Sequence, residues 1–494
     1  MQELTKPMND GFDAAYRTFL EAFPGYSSTG RLDELRARDY ERLDRLGQVY
    51  LDYTGGGLYS LDQIRRHHEL LRDGVYGNPH SDNPTSQAAE RLVADARQAV
   101  LSFFNADPEE YGVIFTPNAS GALKLVGESY PFQPGGRFLL TYDNHNSVNG
   151  IREFARHSGA GVRYLPVLTP ELRVDGGAVS EALRDRASDA PHLFAYPAQS
   201  NFSGVQHPME WVSWAHEHGW HVILDSAAFA PTNRLDLAAV HPDFVPLSFY
   251  KMFGYPTGVG ALVFRHEALH VLLRPWFAGG TITVASVQGE GWHHLAPGHA
   301  GFEDGTVDYL GLPAVTIGLE HLAAIGINVI HERVMALTGW LVTQLTSLAH
   351  SDGSPLARVF GPTDLTRRGG TIAFYLVAPD GRPYDVRTVE ALASRAGISL
   401  RTGCFCNPGD GEVAHGITRD DMAKCFVGTC TPVSFEDCAE TLRASTGKAP
   451  NTMRVSLGLA SNFADAYALV RFVGSFRDAP SDLSPDARPE WAGQ

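Results

Sequence analysis

Cysteine is scarce in this chain, with five among 494 residues, and an odd number argues against a disulfide framework. Long apolar runs are also lacking. No segment supplies about 18 consecutive uncharged apolar residues, so no membrane span is expected. The start, MQELTKPMNDGFDAAY, has neither the basic opening nor the apolar stretch of a signal peptide. Positive charge is in deficit too: 40 Lys+Arg stand against 56 Asp+Glu, a net −16 that repels nucleic acid and anionic membranes. The expected setting is the cytoplasm, with neither nucleic acid nor membrane as partner. What remains, 44% hydrophobic and 19% charged residues, is the balance of a globular protein with a sizeable core.

The cysteines are unevenly placed. Cys404, Cys406, Cys425, Cys430 and Cys438 share one short window, and none precedes it. Their spacings lack the paired C-x₂₋₄-C knuckles of structural zinc sites, so no metal is expected. Cys438 and Cys425 read as small buried hydrophobes.

From about residue 50 to 265, short β-rich runs alternate with helical-period stretches, which predicts βα units over a mostly parallel sheet. Strands are expected at 112–116, 138–142, 192–196, 221–225, 244–249 and 259–265. Ala88, Leu92, Val93, Ala96, Val100, Leu101 and Phe104 recur at helical spacing, with Thr85 or Ser86 as N-cap and Asn105 as a stop. Beyond about 310 come helices near 313–324 and 331–350, a strand at 371–377 and a helix near 385–396. The expected division is an N-terminal helical segment (1–45), a large α/β domain (46–310), a smaller α/β domain (311–475) and a polar, disordered tail (476–494) rich in Pro, Asp and Ser.

The chemistry gathers at strand ends. Lys251 closes the apolar strand ending Ser248-Phe249-Tyr250, and Asp225 ends His221-Val-Ile-Leu-Asp225. In an open α/β sheet both emerge at the carboxyl edge, where ligands bind. A lysine in an apolar site can form a Schiff base, and a carboxylate can keep a pyridine nitrogen protonated, the pairing a pyridoxal phosphate enzyme needs. Strand-end lysines are usually solvated and strand-end aspartates often cap helices, so the two count only jointly. The strand Gly112–Thr116 leads through Pro117 and Asn118 into a helix whose first amides, at Ala119 and Ser120, would attract phosphate. His145, Gln199 and Asn201 follow the neighbouring strands.

Taken together, YLDYTGGGLYS, GNPHSDNPTS, FTPNASGALKLVGE, DNHNSVNGIREFA, YPAQSNFSGVQHP, DFVPLSFYKMFGYPTGVGALVF, RTGCFCNPG and MRVSLG resemble the class V aminotransferase and cysteine desulfurase superfamily. The likeness is greatest to the amino-terminal desulfurase-like domain of molybdenum cofactor sulfurases, over roughly residues 46–475. It implies a fold type I, pyridoxal phosphate-dependent transferase in which Lys251 binds the cofactor and Asp225 pairs with its ring nitrogen. His145 stacks on the ring, Asn201 approaches the phenolic oxygen, and Ala119, Ser120 and Ser248 hold the phosphate. A homodimer is implied, with Gly279-Gly280-Thr281 reaching the neighbouring subunit's site. By its place in MRVSLG, Arg454 clamps the substrate carboxylate, a task suited to a planar guanidinium.

The loop Arg401-Thr-Gly-Cys404-Phe-Cys406-Asn-Pro-Gly resembles the one bearing the desulfurase nucleophile. Alignment favours Cys406 over Cys404, with Arg401 placed to lower the thiol's pKa. The implied reaction is a thiolate attack on the sulfur of L-cysteine that leaves a persulfide and releases alanine, the sulfur passing to a cofactor or another biosynthetic acceptor. The alternative is a carbon–sulfur lyase, β-eliminase or aminotransferase that forms no persulfide. Two departures stand out. The sulfurase pattern has Ala-Cys where this chain has Asp410-Gly-Glu, and 494 residues are expected to leave no room for a separate molybdenum cofactor-binding domain, so sulfur delivery to that cofactor is expected either to need another protein or not to be this protein's task.

Overall fold

A computed structural model describes residues 9–186, 188–274, 279–426, 434–448 and 452–484. Its centre is a seven-stranded sheet of β1 (Tyr111–Thr116), β2 (Arg137–Thr141), β3 (Gly161–Leu165), β4 (His192–Pro197), β5 (His221–Asp225), β6 (Phe244–Ser248) and β7 (Gly260–Arg265). The spatial order is β1-β7-β6-β5-β4-β2-β3. Only β7 runs antiparallel, between β1 and β6. The six expected strands are therefore present to within a residue or two. The seventh, β3, carries no continuous apolar run: its sequence GVRYL alternates polar and apolar at the sheet's edge.

The apolar runs follow from burial on both faces. Val113, Phe194, Val222, Leu224, Val245 and Val263 join one core cluster. Their neighbours Ile114, Leu193, Ile223, Phe244 and Leu262 join the cluster on the opposite face. Each such side chain stabilises the fold by about 1.5–3 kcal/mol relative to exposure. The crossover helix before β1 spans Pro84–Phe103. Its N-cap is Asn83, not Thr85 or Ser86: Asn83 Oδ1 accepts from the Ser86 amide at 2.9 Å, and Pro84 takes the first turn, where no amide is needed.

A second sheet, of β8 (Ala357–Phe360), β9 (Thr371–Leu376), β10 (Arg401–Thr402) and β11 (Met453–Ser456), is antiparallel in the order β8-β9-β11-β10. Helices Leu312–Ile325, Ile327–Ser347 and Val386–Arg395 stand close to their expected places. The N-terminal helix Asn9–Ala22 sends Phe19 against Trp340 and Phe463. Among the described residues no single helix is long and apolar enough to cross a membrane.

Two expectations are corrected. Cys425 and Cys438 form a disulfide, because the helices Arg419–Phe426 and Phe435–Thr446 bring their Cα atoms to 5.3 Å, within bonding range. Cys430 lies outside the described residues. The chain also stays packed beyond 475: Phe476 is buried, and Tyr384 Oη donates to the carbonyls of Phe476 and Ala479. Residues 485–494 of the expected tail are outside the described residues.

Candidate active site

Because β1, β2, β4, β5 and β6 all point the same way, the loops after them converge on one edge. They enclose a cavity of about 350 Å³ lined by Ala119, Ser120, His145, Asn201, Asp225, Ser248 and Lys251, with Gln199 and Tyr250. Residues spread over more than a hundred positions of sequence, from Ala119 to Lys251, thus share one pocket.

Lys251 sits in the short helix Phe249–Phe253 directly after β6. Its amine has no hydrogen-bond or ion-pair partner among the described residues. Burial lowers its pKa, helped by the positive charge of Arg454 and opposed by Asp225. Asp225 is 7% exposed, and its Oδ1 accepts from the Ala227 amide at 3.0 Å. Burial raises its pKa, while that amide and Lys251 pull it down. His145 Nδ1 accepts from the Ser147 amide at 3.1 Å, and burial with nearby Lys251 and Arg454 pushes its pKa down to about 4. It is therefore a neutral ring near pH 7.

At the other wall, Asn118 Oδ1 caps the helix Ala119–Ser129 by accepting from the Gly121 amide, and the Ala119 amide donates to Ser248 Oγ at 3.0 Å. β7 packs close behind this turn. A Cβ on Gly260 would lie 2.6 Å from Asn118 Cα, so a side chain there would push the helix N-terminus out of place.

The small domain contributes two arginines. Register places Arg401 on β10 directly opposite Arg454 on β11. Like charges in that position repel. A residue that the sequence reading assigned no role, Asp52, resolves the conflict: a bridge to Ser456 brings it alongside, and Oδ1 accepts from Arg454 Nη2 at 2.9 Å while Oδ2 accepts from Arg401 Nη2 at 2.6 Å. Arg454 is buried. Its Nη1 donates to the Asn201 carbonyl, its guanidinium carbon lies 4.7 Å from the centre of the Phe405 ring, and its Nε has no partner among the described residues. Arg401 is thus committed to Asp52. A lone Asp between an apolar pair and three glycines in YLDYTGGG was the available signal.

Phe405 and Cys406 both take the left-handed backbone, with φ of +56° and +55°. Such a conformation costs side-chain-bearing residues roughly 1–2 kcal/mol each. Hydrogen bonds from the large domain hold it: Asn201 Nδ2 donates to the Phe405 carbonyl at 2.8 Å and the Asn146 amide to the Cys406 carbonyl at 2.7 Å. The Asn201 side chain is therefore turned toward the cysteine loop, its Oδ1 also accepting from Asn407 Nδ2 at 3.0 Å. Cys406 is exposed, whereas Cys404 is half-buried and burial raises its thiol pKa. Thr281 is buried and does not line the cavity of its own chain.

The family model for class-V aminotransferases matches residues 49–469. The chain belongs to that family. It is 35% identical over 493 residues to the molybdenum cofactor sulfurase of Solanum lycopersicum, covering 92% of this chain and 59% of that protein. The chain therefore spans less than two thirds of this relative's length. Among solved structures, the apo cysteine desulfurase of Thermococcus onnurineus NA1 superposes with a TM-score of 0.72 at 22% identity, covering 89% of this chain and 96% of that one. A C-DES variant with glycine covalently linked to its PLP cofactor gives 0.66 at 18%, covering 91% and 99%. The fold is that of the fold type I transferases, whose cofactor is pyridoxal 5′-phosphate. The residues present fit that group: an unpaired amine, a buried carboxylate, a neutral ring and a helix N-terminus line one cavity.

Proposed function

We propose that this chain is a pyridoxal phosphate-dependent cysteine desulfurase of the molybdenum cofactor sulfurase type. The observation that carries the reading is the placement of Cys406. It is exposed, on a backbone pinned by Asn201 and by the residue after His145, and next to Phe405, whose ring lies against the Arg454 guanidinium.

The cofactor, when bound, supplies an electron sink for the amino acid's α-carbon. Lys251 would hold its aldehyde, Asp225 its ring nitrogen, His145 its face, and Ala119, Ser120 and Ser248 its phosphate. Arg454, oriented by Asp52, binds the carboxylate of L-cysteine. The thiolate of Cys406 attacks the substrate sulfur. The carbon–sulfur bond breaks with its electron pair staying on carbon, a proton takes sulfur's place there, and the products are alanine and a Cys406 persulfide. The terminal sulfur then passes to an acceptor cofactor or protein. A homodimer and a cytoplasmic setting belong to the same proposal, although Thr281, buried within its own chain, would have to be uncovered to serve a neighbour's site.

The test is alanine released from L-cysteine by the cofactor-loaded protein with a reducing thiol present. Cys406→Ser is expected to abolish release, a loss of at least about 100-fold, and Cys404→Ser to retain it. Pyruvate in place of alanine, or turnover surviving Cys406→Ser, would overturn the reading in favour of a lyase without a persulfide.

A further inference from the structure

Behind the cysteine loop lies a buried polar cluster that the proposed reaction leaves unused. The helix Pro408–Ala414 opens at Asn407, whose Oδ1 accepts from the Asp410 amide at 3.2 Å and whose Nδ2 donates to the Asp143 carbonyl at 2.8 Å. Asp410 has no exposed surface. Its Oδ2 accepts from Ser200 Oγ at 2.6 Å and lies 3.4 Å from Ser203 Oγ. Its Oδ1 is buried and has no donor among the described residues. The same holds for Oδ1 of Asp143, itself fully buried, whose Oδ2 bonds His207 Nε2 at 2.6 Å.

Two fully buried carboxylates, each with an oxygen that no donor among the described residues reaches, cannot both stay charged without a large penalty. A proton on one of them relieves both. Asp410 is the member whose pKa is driven well up, by burial first and by the negative charge of Asp143 second, against the pull of Ser200 and Ser203. On its own helix the other titratable group is Glu412, which interacts with Arg152. Across the pocket stand Asp143 and the His207 bonded to it.

We propose that Asp410 is a positioning residue for Cys406, a neutral strut that docks the cysteine loop on the Ser200–Ser203 turn. The turn that accepts the strut also carries Asn201, which holds the Phe405 carbonyl beside Cys406. Losing the proton places a second charge next to Asp143 and pushes the loop from its seat. Stability contributed by the neutral form is present at acid pH and is lost as pH rises through the folded-state value. This rests on Cys406 being the nucleophile.

The experiment compares wild type, Asp410→Asn and Asp410→Ala by the pH profile of alanine formation and by hydrogen exchange of amides 403–414, each pair read at the same pH. Wild type is expected to lose kcat on the alkaline side with KM little changed. Asp410→Asn, which keeps the acceptor and cannot ionise, is expected to hold kcat there. Asp410→Ala should lower kcat by roughly 10- to 100-fold at every pH, the usual effect of a small misplacement. Loop exchange should accelerate in Asp410→Ala at all pH values, and in wild type relative to Asp410→Asn only once the pH has risen enough to ionise Asp410. An identical alkaline fall and identical exchange in wild type and Asp410→Asn would overturn the proposal, even if Asp410→Ala fails to fold. If no alanine is formed at all, the proposed function fails while the exchange comparison still decides on the strut.

Discussion

Asp52 should be among the most costly single positions to change in the site. Its partner Arg454 has a side chain 3% exposed, whereas Arg401 is 51% exposed. Truncation by Asp52→Ala leaves the buried guanidinium without its counter-ion and with Nε already lacking a partner among the described residues. Breaking a buried pair in this way costs about 3–5 kcal/mol. The exposed Arg401 arm adds less than about 1 kcal/mol. Equilibrium urea unfolding followed by tryptophan fluorescence measures the loss. The decisive comparison is a double-mutant cycle with Arg454→Met, which removes the stranded charge. In that background Asp52→Ala should cost less than about 1.5 kcal/mol, a coupling of at least about 1.5 kcal/mol. Equal costs in both backgrounds would refute the argument, because Asp52 would then stabilise the fold through something other than Arg454.

Two further outcomes follow from the structure. His145 and His415 both have pKa values pushed down from 6.5 to about 4, chiefly by burial, so the unfolded chain binds more protons than the native one between those values. Stability should fall on acidification from pH 6.5 towards 4, and His415→Gln should flatten that slope; a slope unchanged by the substitution would count against it. The Cys425–Cys438 bridge closes a 13-residue separation, worth about 3 kcal/mol by chain entropy. Cys438→Ser should therefore make the 419–446 helix pair the first site of limited proteolysis, and an unaltered cleavage pattern would show that the bridge contributes little there.

The sequence alone carried the strands, because those buried on both faces must be written as continuous apolar runs, and it carried Lys251 and Asp225, because strand ends in a parallel sheet share an edge. It also carried the cysteine loop, through its concentration of thiols. The edge strand Gly161–Leu165 was hidden by its half-exposed alternation. The Cys425–Cys438 bond was hidden because pairing depends on Cα separation, which spacing along the chain does not reveal. Asp52 and Asp410 belong to the same class. Their roles arise from strand register opposing two arginines and from a loop seated on a distant turn. Burial and the identity of the facing charge then decide what each carboxylate does, and only the tertiary structure supplies both.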